Sequence, residues 1–357
     1  MGLPLDALAR FLDEIGVGAT HAGRVFRGLH RDRLPLHEIQ SLGRHAAIIA
    51  KNSHIASASV QAVHDSGDGT RRMVTAFSDG ARVESVLIPM RADRVTLCLS
   101  TQVGCAMGCR FCATGTLGLT RHLTAGEIVA QIHLAQALLK GSDRTLRNLV
   151  FMGMGEPLHA YDQTRDAIRV LLDDHGLNFG ARHVTVSTVG LVGRMHQLGE
   201  DFGGRVQLAL SLHAGTDATR QAIIPIARAH PLAALRKACE AYPLPGRRAL
   251  MLEYVVLPGI NDSDAELDAL TAWRAGLRAV VNLIPFNPFP GSPYRSPTTE
   301  EVKSALKRLQ DRRVPVTVRW PRGRDADGAC GQLALREESQ PQSSAKMSQP
   351  GLWPTLR

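Results

Sequence analysis

The chain has 357 residues, 44% of them apolar, which is enough for one large barrel or for a large domain with a smaller partner. Lysine and arginine (42) outnumber aspartate and glutamate (33), and the resulting net charge of +9 suits a polyanion such as RNA. No run of about 18 apolar residues occurs, which excludes an ordinary membrane-spanning helix.

The opening "MGLPLDALARFLDEIG" sets acidic residues inside an apolar repeat, so it reads as an amphipathic helix and not as an export signal. A cytoplasmic protein is expected, with its six cysteines in a reducing compartment. There, clustered thiols point to metal or redox chemistry rather than to structural disulfides. "HAGRVFRGLHRDRL" follows with Arg24, Arg27, Arg31 and Arg33. Residues 1–55 are expected to form a small helical domain with a basic face. Taken alone, those arginines describe no more than a solvated surface.

Residues 56–92 change character. "SASVQAVHD", "TRRMVTAFS" and "ARVESVLIP" are β-rich and are separated by "SGDG" and "SDG", a strong hairpin signal. A three-stranded meander is expected as a linker. From residue 93 to 335, near-continuous apolar strands such as "RVTLCLS", "NLVFMG", "LMLEYVVL" and "VPVTVRW" alternate with helical runs such as "TAGEIVAQIHLAQALLK". This pattern predicts an α/β fold, a partial or full (β/α) barrel whose parallel strands are covered by helices. Its chemistry belongs at the carboxyl ends of the strands. The polar stretch 336–357 is expected to be a disordered tail.

The stretch "STQVGCAMGCRFCATGTLG" sets Cys105, Cys109 and Cys112 in a C-x3-C-x2-C array just past the strand "VTLCLS". A structural zinc site wants four protein ligands, and no fourth lies nearby, His122 being ten residues further on. A 4Fe–4S cube held by three cysteines instead leaves one iron open to a substrate or cofactor. The array therefore favours an iron–sulfur site over zinc. Of the other cysteines, Cys98 on "TLCLS" fits a buried strand position and Cys239 a helix interior. Cys330 lies in the glycine-rich, acidic loop "RDADGACGQLA", where apolar packing has little to offer and a reactive thiol is a candidate.

C-x3-C-x2-C ahead of an α/β barrel resembles the radical-SAM enzymes. "TLCLSTQVGCAMGCRFCATG", "VFMGMGEPL", "VTVSTVG", "LALSLHA", "NLIPFNPFPGSPY" and "ACGQLA", in this order, narrow the resemblance. Over about residues 5–335 the chain is similar to the RlmN/Cfr family of radical-SAM RNA adenine methyltransferases. The resemblance implies a 4Fe–4S cluster on Cys105, Cys109 and Cys112, with S-adenosyl-L-methionine bound at its open iron and cleaved there to a 5′-deoxyadenosyl radical. It implies that Cys330 carries a methyl group from a first S-adenosylmethionine, that the radical activates this group for addition to adenine, and that Cys98 then attacks the Cys330 sulfur and leaves a disulfide for later reduction. A radical route suits the task, because an aromatic C–H carbon of adenine is a poor nucleophile toward a sulfonium methyl group.

The same resemblance casts Glu84 as a proton acceptor and Gly155, Glu156, Ser187, Ser211, Leu212, His213 and Asn287 as cofactor contacts. All but Glu84 lie at expected strand ends. On the residues alone, Glu84 is a solvent-facing strand carboxylate, and the others are loop caps. Two places depart from the usual family pattern. Gly215 and Thr216 stand where a Pro-Asn pair is often found, and Phe286 where tryptophan is common in the carbon-2 branch.

Methylation of carbon 2 of an adenosine in 23S rRNA, and of tRNA as well, is the expected function. Methylation of carbon 8 is the alternative within the family. Outside it stand a non-catalytic RNA-binding protein with a structural cluster and a radical enzyme acting on a small molecule or peptide. Expected partners are RNA, bound by the N-terminal arginines, and an electron donor such as flavodoxin or ferredoxin. A monomer is expected, with no membrane association.

Overall fold

Seven strands lie side by side in the order in which the chain makes them. A computed structural model describes residues 2–53 and 57–335. The tail expected at 336–357 falls outside that range. Strands β1 (Ala58–Asp65), β2 (Arg71–Phe77) and β3 (Arg82–Pro89) form the expected antiparallel meander. Strand β4 (Arg94–Cys98) pairs antiparallel with β3 and opens the barrel. Strands β5 (Gln102–Cys105) and β6 (Gly118–His122) form a separate hairpin. Strands β7 (Thr145–Phe151), β8 (Val184–Thr188), β9 (Gln207–Ser211), β10 (Leu250–Val256), β11 (Ala279–Pro285) and β12 (Val316–Val318) then join β4 in one parallel run.

The resulting ten-stranded sheet runs from β1 to β12, and these two edges do not pair with each other. The barrel is therefore partial. The meander is not a detached linker but the antiparallel edge of the barrel's own sheet. This continuity follows from β3, whose Val86, Leu87, Ile88 and Pro89 register against Cys98, Leu97, Thr96 and Val95.

The strands are apolar on both faces because both are covered. In β10, every residue but Met251 is buried. Helices Ala125–Leu138, Tyr161–Leu172, Val192–Phe202, Leu232–Ala241, Asp264–Arg274 and Thr299–Asp311 fill the crossovers. The order of the strands places these helices on one side, since parallel crossovers are right-handed. Several helices start on a side-chain cap. Thr124 and Glu127 form a full capping box, as do Thr298 and Glu301.

Three helices, Leu5–Glu14, Ala22–His30 and Arg44–Asn52, make the N-terminal unit. They bury Leu8, Leu12, Val25, Phe26 and Ile49, which join the same apolar core as the barrel. His30 stacks on His133 of helix Ala125–Leu138, with ring centroids 5.8 Å apart. Arg24, Arg27, Arg31 and Arg33 stay exposed, as the pattern predicted. No helix among the described residues is long and apolar enough to cross a membrane.

Two glycines with left-handed backbone separate the cost of conformation from the cost of contact. Gly16 (φ 72°) has open space where a Cβ would go, whereas a Cβ on Gly104 (φ 80°) would lie 1.9 Å from the Gly118 carbonyl oxygen across β5–β6. Gly16→Ala is expected to cost about 1 kcal/mol, and Gly104→Ala clearly more, in guanidinium unfolding of the two variants side by side. Equal losses would mean that the hairpin opens freely at Gly104.

Candidate active site

The β5–β6 hairpin carries the cysteine array. Cys105 ends β5, and Cys112 precedes a short helix, Ala113–Thr116. Close contacts fix the loop between them. A Cβ on Gly115 would lie 2.8 Å from the Cys109 carbonyl oxygen, so only glycine fits there. The Arg110 N–H donates to the Ile223 carbonyl at 3.0 Å, and the Ala113 N–H to the Gly331 carbonyl at 2.7 Å. His122 does not face the thiols but meets the Gln102 amide at 2.8 Å.

The next segments are laced to that loop. The Gly153 N–H donates to the Leu99 carbonyl at 2.8 Å, and the Thr101 N–H to the Met154 carbonyl at 2.9 Å. A Cβ on Gly153 would fall 2.6 Å from the Leu99 carbonyl oxygen, and one on Gly155 (φ 103°) 2.6 Å from the Gln102 Cβ. The glycines of "GMGEP" thus serve a close approach of the chain to itself. Glu156 is buried, and its carboxylate accepts from the Val189 N–H at 2.8 Å and the Leu158 N–H at 3.0 Å. Burial raises its pKa to about 7, against these hydrogen bonds, which lower it.

Ser187 and Ser211 sit on adjacent strands with hydroxyl oxygens 3.5 Å apart. Leu212 is fully buried behind them. His213 takes a left-handed conformation (φ 60°), and its Nδ1 accepts from the Val255 N–H at 2.9 Å. Burial lowers its pKa to about 3, so the ring is neutral and its proton lies on Nε2. Asn287, also buried, donates from Nδ2 to the Cys330 carbonyl at 3.1 Å and accepts from Arg324 Nε at 2.8 Å.

Cys98 ends β4 and is buried, whereas Cys330 is solvent-exposed. The two lie close enough that a charge on Cys330 would oppose ionisation of Cys98. Burial pushes Cys98 up to about 12 and also raises Cys330. Arg319, just past β12, faces Cys330, Glu253 and Cys98, whose negative charge raises its pKa although burial lowers it. Its Nη1 donates to the Met152 sulfur at 3.2 Å. All six cysteines are free thiols.

Glu84 is not solvent-facing, as the sequence alone suggested, but 1% exposed. It pairs with Arg72 Nη1, and its Oε2 accepts from the Ala334 N–H at 2.9 Å and the Leu335 N–H at 3.2 Å. It faces the segment that carries Cys330. The structure thus brings Cys98, the array, the strand-end set and Cys330 to one end of the barrel.

Residues 99–270 match the Radical SAM superfamily. The chain is 44% identical over 333 residues to the dual-specificity RNA methyltransferase RlmN of Pelobacter propionicus, covering 93% of this chain and 94% of that one. It is 43% identical over 334 residues to the enzyme of the same name from Geobacter sulfurreducens, covering 93% and 91%. The crystal structure of a radical SAM methyltransferase from Sphaerobacter thermophilus superposes with a TM-score of 0.86 at 40% identity, over 93% of this chain and 98% of that one. The chain belongs to the RlmN family of radical-SAM RNA methyltransferases.

RlmN enzymes use a 4Fe–4S cluster and S-adenosylmethionine, and the donor set here fits the cluster. Burial raises the thiols of Cys105, Cys109 and Cys112, and Cys112 adds to this at Cys105 and Cys109 by its own charge. The thiols therefore adjoin one another, and ionising all three requires positive charge that the protein supplies only weakly, through Arg220 at Cys109. Cluster iron supplies it. No three His, Cys, Asp or Glu side chains among the described residues converge as ligands of a single ion do. A cube spreads its ligands over separate iron corners and does not need that convergence.

The departures from the usual RlmN pattern have local causes. A Cβ on Gly215 would lie 2.2 Å from the Glu266 carbonyl oxygen, and Thr216 caps helix Asp217–Ile223 while donating to Glu266 Oε1 at 2.6 Å. Phe286 packs edge-on against Phe289 and Tyr294.

Sequence reasoning missed Arg220, Arg319 and Glu253. Arg319 directly follows the strand within the quoted run "VPVTVRW", at the position where a barrel puts chemistry, and that was the available signal. Arg220 gave none, being one arginine on a short helix. It is fully buried and donates to the carbonyls of Val189 (2.6 Å), Leu212 (3.1 Å), His230 (3.2 Å) and Ser211 (3.3 Å). Burial lowers its pKa to about 10, so it stays charged. Arg220→Met is expected to destabilise the fold by about 3 kcal/mol or more, because four carbonyls, those of Val189 and Leu212 in buried contacts, lose a charged donor. Urea unfolding measures this, and a loss below about 1 kcal/mol would mean that water replaces the guanidinium.

Proposed function

We propose that this chain methylates carbon 2 of an adenosine in 23S rRNA, and also of tRNA, with Cys330 as the methyl carrier. The observation that supports the reading most directly is the meeting of Cys98 and Cys330 around Arg319 beside the three-cysteine loop. A structural cluster on an RNA-binding protein has no use for a solvent-exposed thiol next to a buried one. A radical enzyme for small molecules leaves the exposed arginines of the N-terminal helices without a purpose.

In this reading, Cys105, Cys109 and Cys112 hold the cluster, which supplies the electron that makes a carbon radical from S-adenosylmethionine when both are bound. Glu156, Ser187, Ser211, Leu212, His213 and Asn287 orient the cofactor, with Gly155 shaping the turn that presents Glu156. The Cys330 thiol loses its proton and takes a methyl group in a displacement, for which Arg319 is the nearby cation that favours the thiolate. Cys98 later reaches the Cys330 sulfur and closes a disulfide, which a reductant must reopen. Glu84 is the proton acceptor. Three donors occupy its carboxylate, and a carboxylate has about four acceptor sites, so one remains for the proton. Phosphate contacts fall to Arg24, Arg27 and their neighbours. A cytoplasmic monomer served by a flavodoxin or ferredoxin completes the proposal.

The deciding experiment is mass spectrometry of nucleosides from 23S rRNA and tRNA, in a host lacking its own enzyme of this family, with Cys330→Ala beside the unsubstituted chain. Appearance of 2-methyladenosine that depends on Cys330 is expected. A signal for 8-methyladenosine would move the enzyme to the other branch, and neither product from cluster-loaded protein would sink the reading.

Glu156 sets a pH dependence. Its folded-state pKa, about 7, exceeds its ordinary value of 4.5, so its contribution to stability is present below about 4.5 and lost as pH rises through about 7. Only the ionised form pairs with the cofactor's ammonium. S-adenosylmethionine should therefore bind more tightly at pH 8 than at pH 6 in titration calorimetry, and Glu156→Gln should flatten the difference. The same slope in that variant would place the titrating group elsewhere.

A further inference from the structure

The turn between β1 and β2 is remote in sequence from the Cys330 loop, yet side chains outside the proposed catalytic set join them, with Glu84 as the one shared member. Asp325 accepts from the Ser66 hydroxyl and, through Oδ2, from the Gly67 N–H at 2.9 Å. Asp68 answers from the other side, its Oδ2 accepting from the Gly323 N–H at 3.1 Å. Its Oδ1 takes the Thr70 N–H at 2.9 Å, which stiffens the turn. Gly323 is left-handed (φ 69°), and a Cβ there would lie 2.7 Å from the Thr70 side chain, so the two loops are pressed together. One strand further in, Arg72 Nε donates to the Ala326 carbonyl at 2.6 Å while its Nη1 pairs with Glu84. Glu84 in turn holds the N–H groups of Ala334 and Leu335.

The meander therefore grips the loop on both sides of Cys330, at 323–326 before it and at 334–335 after it. Between the two grips, Asp327 (φ 51°) and Gly331 (φ 85°) curl the backbone around the thiol. The Gly67 N–H and the Ser66 hydroxyl hold the Asp325 carboxyl below the usual carboxylate range, so this grip stays charged at neutral pH.

We propose that the β1–β2 turn and the Arg72–Glu84 pair form a two-point clasp on the Cys330 loop, with Asp68 and Asp325 as positioning residues for methyl transfer to Cys330. The proposal rests on the reading of Cys330 as methyl carrier. In that step the Cys330 thiol, at an exposed residue, gives its proton to solvent, its sulfur takes the methyl group from the sulfonium as that carbon–sulfur bond breaks, and S-adenosylhomocysteine leaves. A displacement needs the sulfur aligned behind the carbon, and small misplacements are costly. Fixed ends with a short turning centre also let the same sulfur face the cofactor first and Cys98 afterwards.

The test uses the full chain with its cluster reconstituted anaerobically, given methyl-labelled S-adenosylmethionine, with label on the Cys330 peptide followed by mass spectrometry. Asp325→Ala and Asp68→Ala should each lower the saturating rate about tenfold or more, with the half-saturating cofactor concentration unchanged. Asp325→Asn keeps one acceptor for the Gly67 N–H and should recover part of the rate. Asp325 is exposed, so its truncation leaves the core intact. Saturating rates equal to the unsubstituted chain in both alanine variants would overturn the clasp. So would losses that track melting temperature alone, with no recovery in Asp325→Asn. An unsubstituted chain that never labels Cys330 would instead overturn the methyl-carrier reading, and the proposal with it.

Discussion

Sulfur gathered where burial opposes its ionisation is the constraint on which this molecule turns. Cys98, Cys105, Cys109, Cys112 and Cys330 all stand above the ordinary thiol range for that reason. Such a site works only where positive charge can be brought to it. The protein brings two guanidinium groups, Arg220 beneath the cysteine loop and Arg319 between the two remaining thiols, and cluster iron brings the rest. Both arginines are held by backbone or sulfur acceptors, so neither can leave the site to solvate itself. The strand ends, the short helix at Asp217–Ile223 and the last strand are placed as they are because these charges need fixed positions.

Most of the architecture was legible because its elements obey local rules. The β1–β3 turns carry Asp-Gly, the helix starts carry threonine with glutamate three residues on, and β10 is an apolar run of strand length. The C-x3-C-x2-C array was legible for a chemical reason, since three close thiols without a fourth ligand suit few metals. The ordered motifs then separated this family from other barrels of the same kind.

What escaped was long-range. The β5–β6 hairpin is too short and too rich in glycine to read as strands. Helices Val192–Phe202 and Asp217–Ile223 carry weak local signals, the first interrupted by glycines and the second barely two turns long. That the meander continues the sheet depends on the pairing of β3 with β4, which no composition signal marks. Glu84 looked like a surface carboxylate because its partners, Arg72 and the N–H groups of Ala334 and Leu335, are supplied by another strand and by the far end of the chain. Arg220 is the plainest case, because its acceptors are main-chain carbonyls and any sequence offers those.

The strand order has a consequence for how the enzyme comes into being. Each parallel strand docks beside the one that precedes it in the sheet, across a crossover that carries at least one helix, so the sheet can grow in step with synthesis. The contact between Gly67 and Asp325 spans 258 residues and must come late. A nascent chain thus completes its three-cysteine loop and most of its barrel well before it possesses Cys330. A chain cut short ahead of residue 325 would keep the three-cysteine loop and lack the Cys330 loop, so synthesis itself sets the order in which the two sulfur-bearing segments come to exist.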